Sequence, residues 1–374
     1  MRYEDAGVRV RVRVRVRPRP WSRLVECVIL CIAALQFSAP LQAQDAQQKV
    51  DVDDVSRSYS VHLPTGYDAR QHYPVVILLP DQNQTAEEMQ QLTHFNQFAD
   101  KNGIIAVYPV ATRGRWNVGV RPDQPSLMSP RRGGYGHHGG MGGGGYPGGG
   151  GGGYPGGGQS GGQTPDDNKS KPEPADDIAF LNQMLDQLAT KYSVDTGRIY
   201  ATGLGDGGIM ALRVGCSMAD RIAAIAPVDA GLPKTMICLP SRPVPALFIN
   251  GTEDPIIPYE GGTYKPGPFH VLSAEDTVKS WARFDRCAEK PAQDKLQPLQ
   301  KGDKETKTFT FNGCHDNAQV ALYAVKGAGD TWPGGEQYMS EKQVGRTSDA
   351  LNANETIWSF LATKKIAANG GAAK

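Results

Sequence analysis

The sequence predicts an α/β fold: a doubly wound, mostly parallel sheet with helices on both faces. Three observations carry that prediction. Near-continuous apolar runs recur at residues 73–79, 103–109, 222–227 and 244–250, as expected of strands buried on both faces. Helical patterns alternate with them. Near the middle of the chain an apolar run, Ile199-Tyr200-Ala201, feeds a glycine-packed turn and then a helical stretch beginning at Ile209.

The elements follow in order. Residues 50–62 predict an entry strand, with Tyr59, Val61 and Leu63 alternating. Residues 73–79 are a central strand. Residues 85–100 predict one helix, capped by Thr85 with Glu88 three residues on. Residues 103–109 make the next strand. Residues 176–192 predict an amphipathic helix with Ile178, Leu181, Met184, Leu185 and Leu188 on one face. Beyond the glycine-packed turn come its helix and strands at 222–227 and 244–250. A helix at 274–284, strands at 308–311 and 319–325, and a last helix at 353–361 complete the pattern.

The net charge of +1 gives no reason to expect nucleic acid as a partner. The charge is unevenly placed. Residues 1–24 carry eight Arg against Glu4 and Asp5, a net +6, which leaves −5 for the rest. That basic block, an apolar run from Val25 to Leu35 and a small residue at Ala43 predict a signal peptide over residues 1–43. The run is broken by Glu26 and falls short of the roughly 20 residues a membrane span needs. A secreted or periplasmic protein, off the membrane after cleavage, is the expectation.

A single domain is expected over residues 44–374, interrupted by a disordered insertion at about 118–174. Between Gly133 and Gly162, 20 of 30 residues are glycine, leaving almost nothing to bury. His137-His138 within it is a poor metal site. Cys27 and Cys31 fall in the signal peptide. The remaining four cysteines, an even set in an exported chain, favour disulfides. Three pairings are possible, and proximity in the chain suggests Cys216–Cys238 and Cys287–Cys314. Metal binding by them is the weaker reading, since none lies in a Cys-x-x-Cys and only His315 sits beside one; no metal site and no cofactor are expected.

The turn reads Gly203-Leu204-Gly205-Asp206-Gly207-Gly208. A nucleophile elbow reads Gly-x-Ser-x-Gly, with glycines where a Cβ would meet the neighbouring strand or helix. Here both flanking glycines stand, and the nucleophile position holds Gly205. An acid and then a base should follow in chain order. Asp254, in Gly251-Thr252-Glu253-Asp254-Pro255-Ile256-Ile257-Pro258-Tyr259-Glu260-Gly261-Gly262, is the candidate acid. The base belongs in a turn such as Gly327-Ala328-Gly329-Asp330-Thr331-Trp332-Pro333-Gly334.

Together with Arg198-Ile199-Tyr200 and Ala223-Ala224-Ile225-Ala226-Pro227, these stretches resemble the secreted polyhydroxybutyrate depolymerase and feruloyl-esterase-like family of α/β-hydrolases. The resemblance covers residues 50–361 outside the insertion. The family's motifs read Gly-Leu-Ser-x-Gly-Gly, Gly-Thr-x-Asp-x-x-Val-Pro-Tyr-x-Gly-Gly and Gly-His-Thr-Trp-Pro-Gly. The resemblance implies an α/β-hydrolase fold, carboxylic-ester hydrolysis, and cysteines placed like the family's bridges. It also marks three departures. Gly205 stands for the serine and Asp330 for the histidine, so Asp254 alone fits the triad. The family's His-Gly after the first central strand, which helps form the oxyanion hole beside Asp206, is Pro80-Asp81 here.

No substitute is evident. Asp206 lies one position late and should point away from the site. Ser217 and Ser273 lack a base, and the downstream histidines are His270 and His315. Asp81, Asp206, Asp254 and Asp330 should crowd one pocket, either solvated or bridged by a cation. The first expectation is therefore a catalytically silent protein that binds an ester, a polyester, a polysaccharide or a partner. Trp116, Tyr259 and Trp332 would line its cleft or serve as packing anchors. An ester hydrolase with a non-standard triad, and a carrier for the glycine-rich segment, are the alternatives.

Overall fold

The computed structural model describes residues 44–120, 175–265, 267 and 269–366. The expected signal peptide, most of the expected insertion (with His137 and His138) and Cys27 and Cys31 lie outside them. The strands are β1 (Gln44–Val52), β2 (Val55–Leu63), β3 (Tyr73–Leu79), β4 (Ile105–Pro109), β5 (Val194–Leu204), β6 (Ala224–Val228), β7 (Ala246–Gly251), β8 (Gly262–Thr263), β9 (His270–Val271), β10 (Ala292–Leu296), β11 (Thr306–Phe311) and β12 (Val320–Val325). The helices are α1 (Ala86–Thr93), α2 (Phe95–Asn102), α3 (Asp177–Lys191), α4 (Asp206–Ser217), α5 (Ala274–Phe284), α6 (Glu341–Val344) and α7 (Ala353–Leu361).

Ten strands form one mixed sheet in the order β1-β2-β4-β3-β5-β6-β7-β12-β11-β10, and β8 pairs with β9 apart from it. The six from β4 to β12 are parallel neighbours. The pairs at either edge are antiparallel. Alternation along β3 shows why its sequence is continuously apolar. Val75, Ile77 and Leu79 belong to the core shared with α3, α4 and α5. Val76 and Leu78 belong to the core shared with α1, α2 and α7. This is the α/β-hydrolase fold, as the sequence predicts.

The strand order places the site. From β3 the chain goes outward to β4 and then returns to pair β5 on the other side of β3. The carboxyl ends of β3 and β5 therefore bound a crevice at a topological switch point, where open α/β sheets bind ligands. Pro80-Asp81 follows β3, and Gly205-Asp206 follows β5.

Two expectations need correction, and one strand went unpredicted. The single entry strand is a hairpin, β1–β2, turning at Asp53 (φ 49°) and Asp54 (φ 62°). Both central residues are left-handed, as a two-residue hairpin turn requires. The helix of residues 85–100 breaks at His94 (φ 51°) into α1 and α2. Tertiary bonds replace the helical ladder there: Glu336 N–H donates to the Leu92 carbonyl (2.9 Å) and Asn354 Nδ2 to that of Thr93 (2.7 Å). The Thr85–Glu88 capping box stands as read. Strand β10 is exposed at every residue, so no apolar pattern marks it.

The elements beside residues 121–174 are tied together. Asn117 N–H donates to Asp177 Oδ2 (2.6 Å), and its side chain donates to the Ala175 carbonyl (2.8 Å). Asp177 is itself buried against Arg57 (2.6 Å), whose guanidinium lies 4.1 Å from the Phe180 ring centroid. The disulfides are Cys216–Cys238 and Cys287–Cys314, the pairing that proximity suggests. Among the described residues no helix is long and apolar enough to cross a membrane.

Candidate active-site cleft

The turn between β5 and α4 holds Gly205 at φ 57°, ψ −117°, a strained conformation that glycine tolerates best. Its N–H donates to the Val228 carbonyl (3.1 Å), and its carbonyl accepts from Ile209 (2.9 Å). The flanking glycines are sterically required. A Cβ on Gly203 would lie 2.6 Å from the Leu79 carbonyl oxygen, and one on Gly207 would lie 2.5 Å from that of Pro80. The elbow backbone is thus complete, with glycine at its apex.

Asp81 occupies the space over that apex. A Cβ on Gly205 would meet the Asp81 carboxyl carbon at 2.7 Å, with Oδ1 nearer still. Oδ1 also accepts the Asp206 N–H at 2.7 Å. The N–H after the nucleophile position is the donor an oxyanion hole takes from this elbow. Here it is spent on a carboxylate of the chain itself. Burial pushes the Asp81 carboxyl up to about 7, against the pull of the Asp206 and Gln82 N–H groups and with the Asp206 charge adding to the rise.

The acid loop places Asp254 in a tight turn, its Oδ1 accepting from Ile256 (2.6 Å) and Ile257 (2.9 Å). Its Oδ2 is buried without a partner. Asp330 is 1% exposed. Its N–H donates to the Val344 carbonyl (2.6 Å), and its carbonyl accepts from the Tyr338 hydroxyl (3.2 Å). Its Oδ1 is likewise buried and unpartnered. Burial pushes Asp254 up to about 7. Asp330 is held well above the carboxylate range by burial, then by the charges of Asp254, Asp81 and Asp229.

Asp229 is the member the sequence did not reveal. It follows β6 at φ 45°, accepting from Gly251 N–H (2.6 Å) on Oδ1 and Thr331 N–H (3.0 Å) on Oδ2. It thereby joins the ends of the acid and base loops. Burial, then the Asp254 charge, holds its carboxyl well above the usual range. A non-glycine residue at positive φ leaves no signature in an apolar pattern.

The structure therefore groups Asp81, Asp229, Asp254 and Asp330. Asp206 lies behind them, 1% exposed, accepting from Trp116 N–H (3.0 Å) and the Tyr264 hydroxyl (3.1 Å). Neither of these partners lies in the cleft wall. The cation-bridged cluster does not form: among the described residues no three His, Cys, Asp or Glu side chains are arranged to hold a metal ion. Ser273 caps α5, and His270 contacts Thr263 in the β8–β9 pair (3.2 Å).

A cleft of about 900 Å³ opens over Asp81 and Asp330. Its wall carries five amides, Gln82, Asn83, Gln84, Gln91 and Gln343, with Ile256, Tyr338 and Met339 among its less polar members. The aromatic residues expected there belong elsewhere. Trp116 is buried, its Nε1 donating to the Pro80 carbonyl (2.9 Å). Trp332 is buried, its Nε1 donating to Asn354 (2.9 Å). Tyr259 packs half-buried against the core containing α5. All three are packing anchors, and none lines the cleft.

No family model matches the chain. It is 24% identical over 330 residues to NocK of Nocardia uniformis subsp. tsuyamanensis, which bears the name of an esterase; the match covers 85% of this chain and 83% of that protein. It is 32% identical over 162 residues to feruloyl esterase B of Piromyces equi, covering 41% of this chain but 29% of that longer one. Among solved structures, an acetyl xylan esterase from Aspergillus awamori matches 76% of this chain and 94% of its own at 13% identity, with a TM-score of 0.44. The chain thus has the α/β-hydrolase fold and is similar in sequence to proteins that bear the name of esterases.

Proposed function

We propose that this protein is an exported, catalytically silent member of the esterase-like α/β-hydrolases, one that uses its cleft to hold an ester, polyester or polysaccharide chain. One observation carries the reading. The Asp81 carboxylate takes the Asp206 N–H and fills the space a side chain at 205 would need. A triad loss alone costs roughly 10⁴–10⁶ in turnover, with the oxyanion hole supplying what remains. Filling that hole with an acid removes the remainder too, because a carboxylate there repels the developing oxyanion. Gly205 at the nucleophile position offers no attacking atom, so a carboxyl at the base position, Asp330, has no hydroxyl to activate. Two disulfides fit an oxidising compartment.

Hydrolysis of a short-chain p-nitrophenyl ester tests this in three proteins. The native chain should be inert. So should Gly205→Ser/Asp330→His, because Asp81 still blocks the new hydroxyl. Adding Asp81→Gly to that pair should raise turnover on the order of 10²-fold over the double variant, the worth of one freed oxyanion donor. Native turnover well above background, abolished by a serine-directed fluorophosphonate, overturns the reading.

A further inference from the structure

We propose that the cleft receives a protonated primary amine on a hydroxylated body, an amino-sugar unit, with the ammonium seated on Asp330 beside Asp81. The proposal rests on the binding role above and names its ligand class. Three observations lead to it. First, the wall carries four carboxylates (Asp81, Glu88, Asp330 and Glu336) and no Lys, Arg or His among its described residues. An anionic ligand would find no counter-charge there. Second, three of the four acids are engaged: Asp81 with Asp206 N–H, Glu88 with Thr85 N–H, and Glu336 with His94. Asp330 differs. It is 1% exposed, lines the cleft, and keeps Oδ1 without a partner. A buried acceptor left unmade costs about 1–3 kcal/mol, and an ammonium with three donors answers it. Third, the five wall amides offer both donors and acceptors, which suits hydroxyl groups around the amine.

Charge supports the same choice. The groups facing Asp330 are Asp81, Asp229, Asp254 and the Tyr338 hydroxyl. Asp81 is faced in turn by Asp206, Arg115, Asp229, Asp254 and Asp330. Arg115 lies behind the elbow, 5.8 Å from the Tyr264 ring centroid, and not in the cleft wall. Bringing one positive charge to Asp330 lowers the cost of ionising these acids, so the ammonium enters as protons leave.

Isothermal titration at pH 6 provides the test, with a glucosamine tetramer, its fully N-acetylated counterpart and cellotetraose. Native protein, Asp330→Asn and Asp81→Asn are compared, each first shown to be folded by thermal melting. The glucosamine tetramer should bind about tenfold tighter than the other two, the worth of one charge-assisted hydrogen bond. Asp330→Asn should erase that preference. Repeating the native titration in buffers of different ionisation enthalpy should reveal proton release. Equal binding of all three sugars overturns the amine and leaves the binding role standing. Binding of none, or a preference that survives both variants, also overturns it. Ester turnover by the native protein overturns the binding role itself, whatever the sugars do.

Discussion

The two halves of the cleft floor differ in what holds them. The elbow half is backbone: a strained apex at Gly205, glycines at 203 and 207 where no Cβ fits, and an Asp206 N–H aimed at the site. The other half is side chain: Asp81, Asp254 and Asp330 converge with no Lys, Arg or His among the described residues of the cleft wall. The first half has the geometry of a nucleophile elbow, while the second, on the function proposed above, lacks the groups that would use it. Strand register and close packing fix a turn whatever side chain sits at its apex. Acid–base chemistry depends on single residue identities and disappears when they change.

The largest effect should come from breaking the backbone half. Gly207→Val places branched carbon against the Pro80 and Leu79 carbonyls, which sit at the end of a central strand and cannot retreat. A loss of about 3 kcal/mol or more is expected, read by urea unfolding. A neutral result would mean that the elbow is looser than its contacts imply. At the apex the two halves meet. Gly205→Ala should cost about 2 kcal/mol, from positive φ and from the Asp81 carboxylate together. Asp81→Gly should recover part of it, with a coupling of about 1 kcal/mol in a double-mutant cycle. Additivity would show that Asp81 does not occupy the space over Gly205.

The carboxylate half should announce itself through pH. Asp81 and Asp254 are both pushed up to about 7, above an ordinary value of 3.8, chiefly by burial. Below 3.8 the folded and unfolded chains both hold these protons, and the stability they contribute is fully present. Between about 4 and 7 the unfolded chain releases protons that the folded chain retains, so stability falls. Above 7 the loss is complete. This is opposite in sign to a salt-bridged aspartate. Asp81→Asn should therefore melt higher than the native chain at pH 8, by an amount worth on the order of 1–2 kcal/mol. At pH 3.5 the two should coincide. A constant difference at both pH values would mean that the Asn acts through packing.

The same contrast explains what could be read from the sequence. Central strands and the elbow were legible because burial on both faces writes apolar runs, and close approach writes glycine. Helix α5 matches its expected bounds for a similar reason, with Ser273 capping and Val278 and Trp281 buried. Strand β10 was invisible because nothing covers it. The break at His94 was invisible because Glu336 and Asn354, far along the chain, cause it. At the site, the motif positions of Gly205, Asp254 and Asp330 could be named, but not what their neighbours do. That Asp81 caps the Asp206 N–H, and that Asp229 joins the two loops, depend on contacts between residues more than 20 positions apart. Trp116 and Trp332 were ambiguous between wall and core, because an indole serves either.

Both halves are built from described residues, and this sets the smallest expected effect. The chain ends flanking residues 121–174 are joined by Asn117, which binds Asp177 and Ala175, while Arg213 also donates to the Asn117 carbonyl. Those contacts tie the described ends of the connection together. Excising residues 133–162 shortens it by roughly half, and each halving of a closed loop changes its closure free energy by about 0.6 kcal/mol. The excised chain should therefore unfold within about 1 kcal/mol of the full one. It should also keep the Gly205–Asp81 coupling and the pH dependence unchanged, because the elbow and the carboxylates are held by contacts among described residues. A loss above about 2 kcal/mol in urea unfolding would mean that residues 133–162 support the sheet, and the floor would then have a third contributor besides glycine packing and buried acids. Asn117→Ala, by contrast, removes the tie itself and should cost about 1 kcal/mol in the full-length chain.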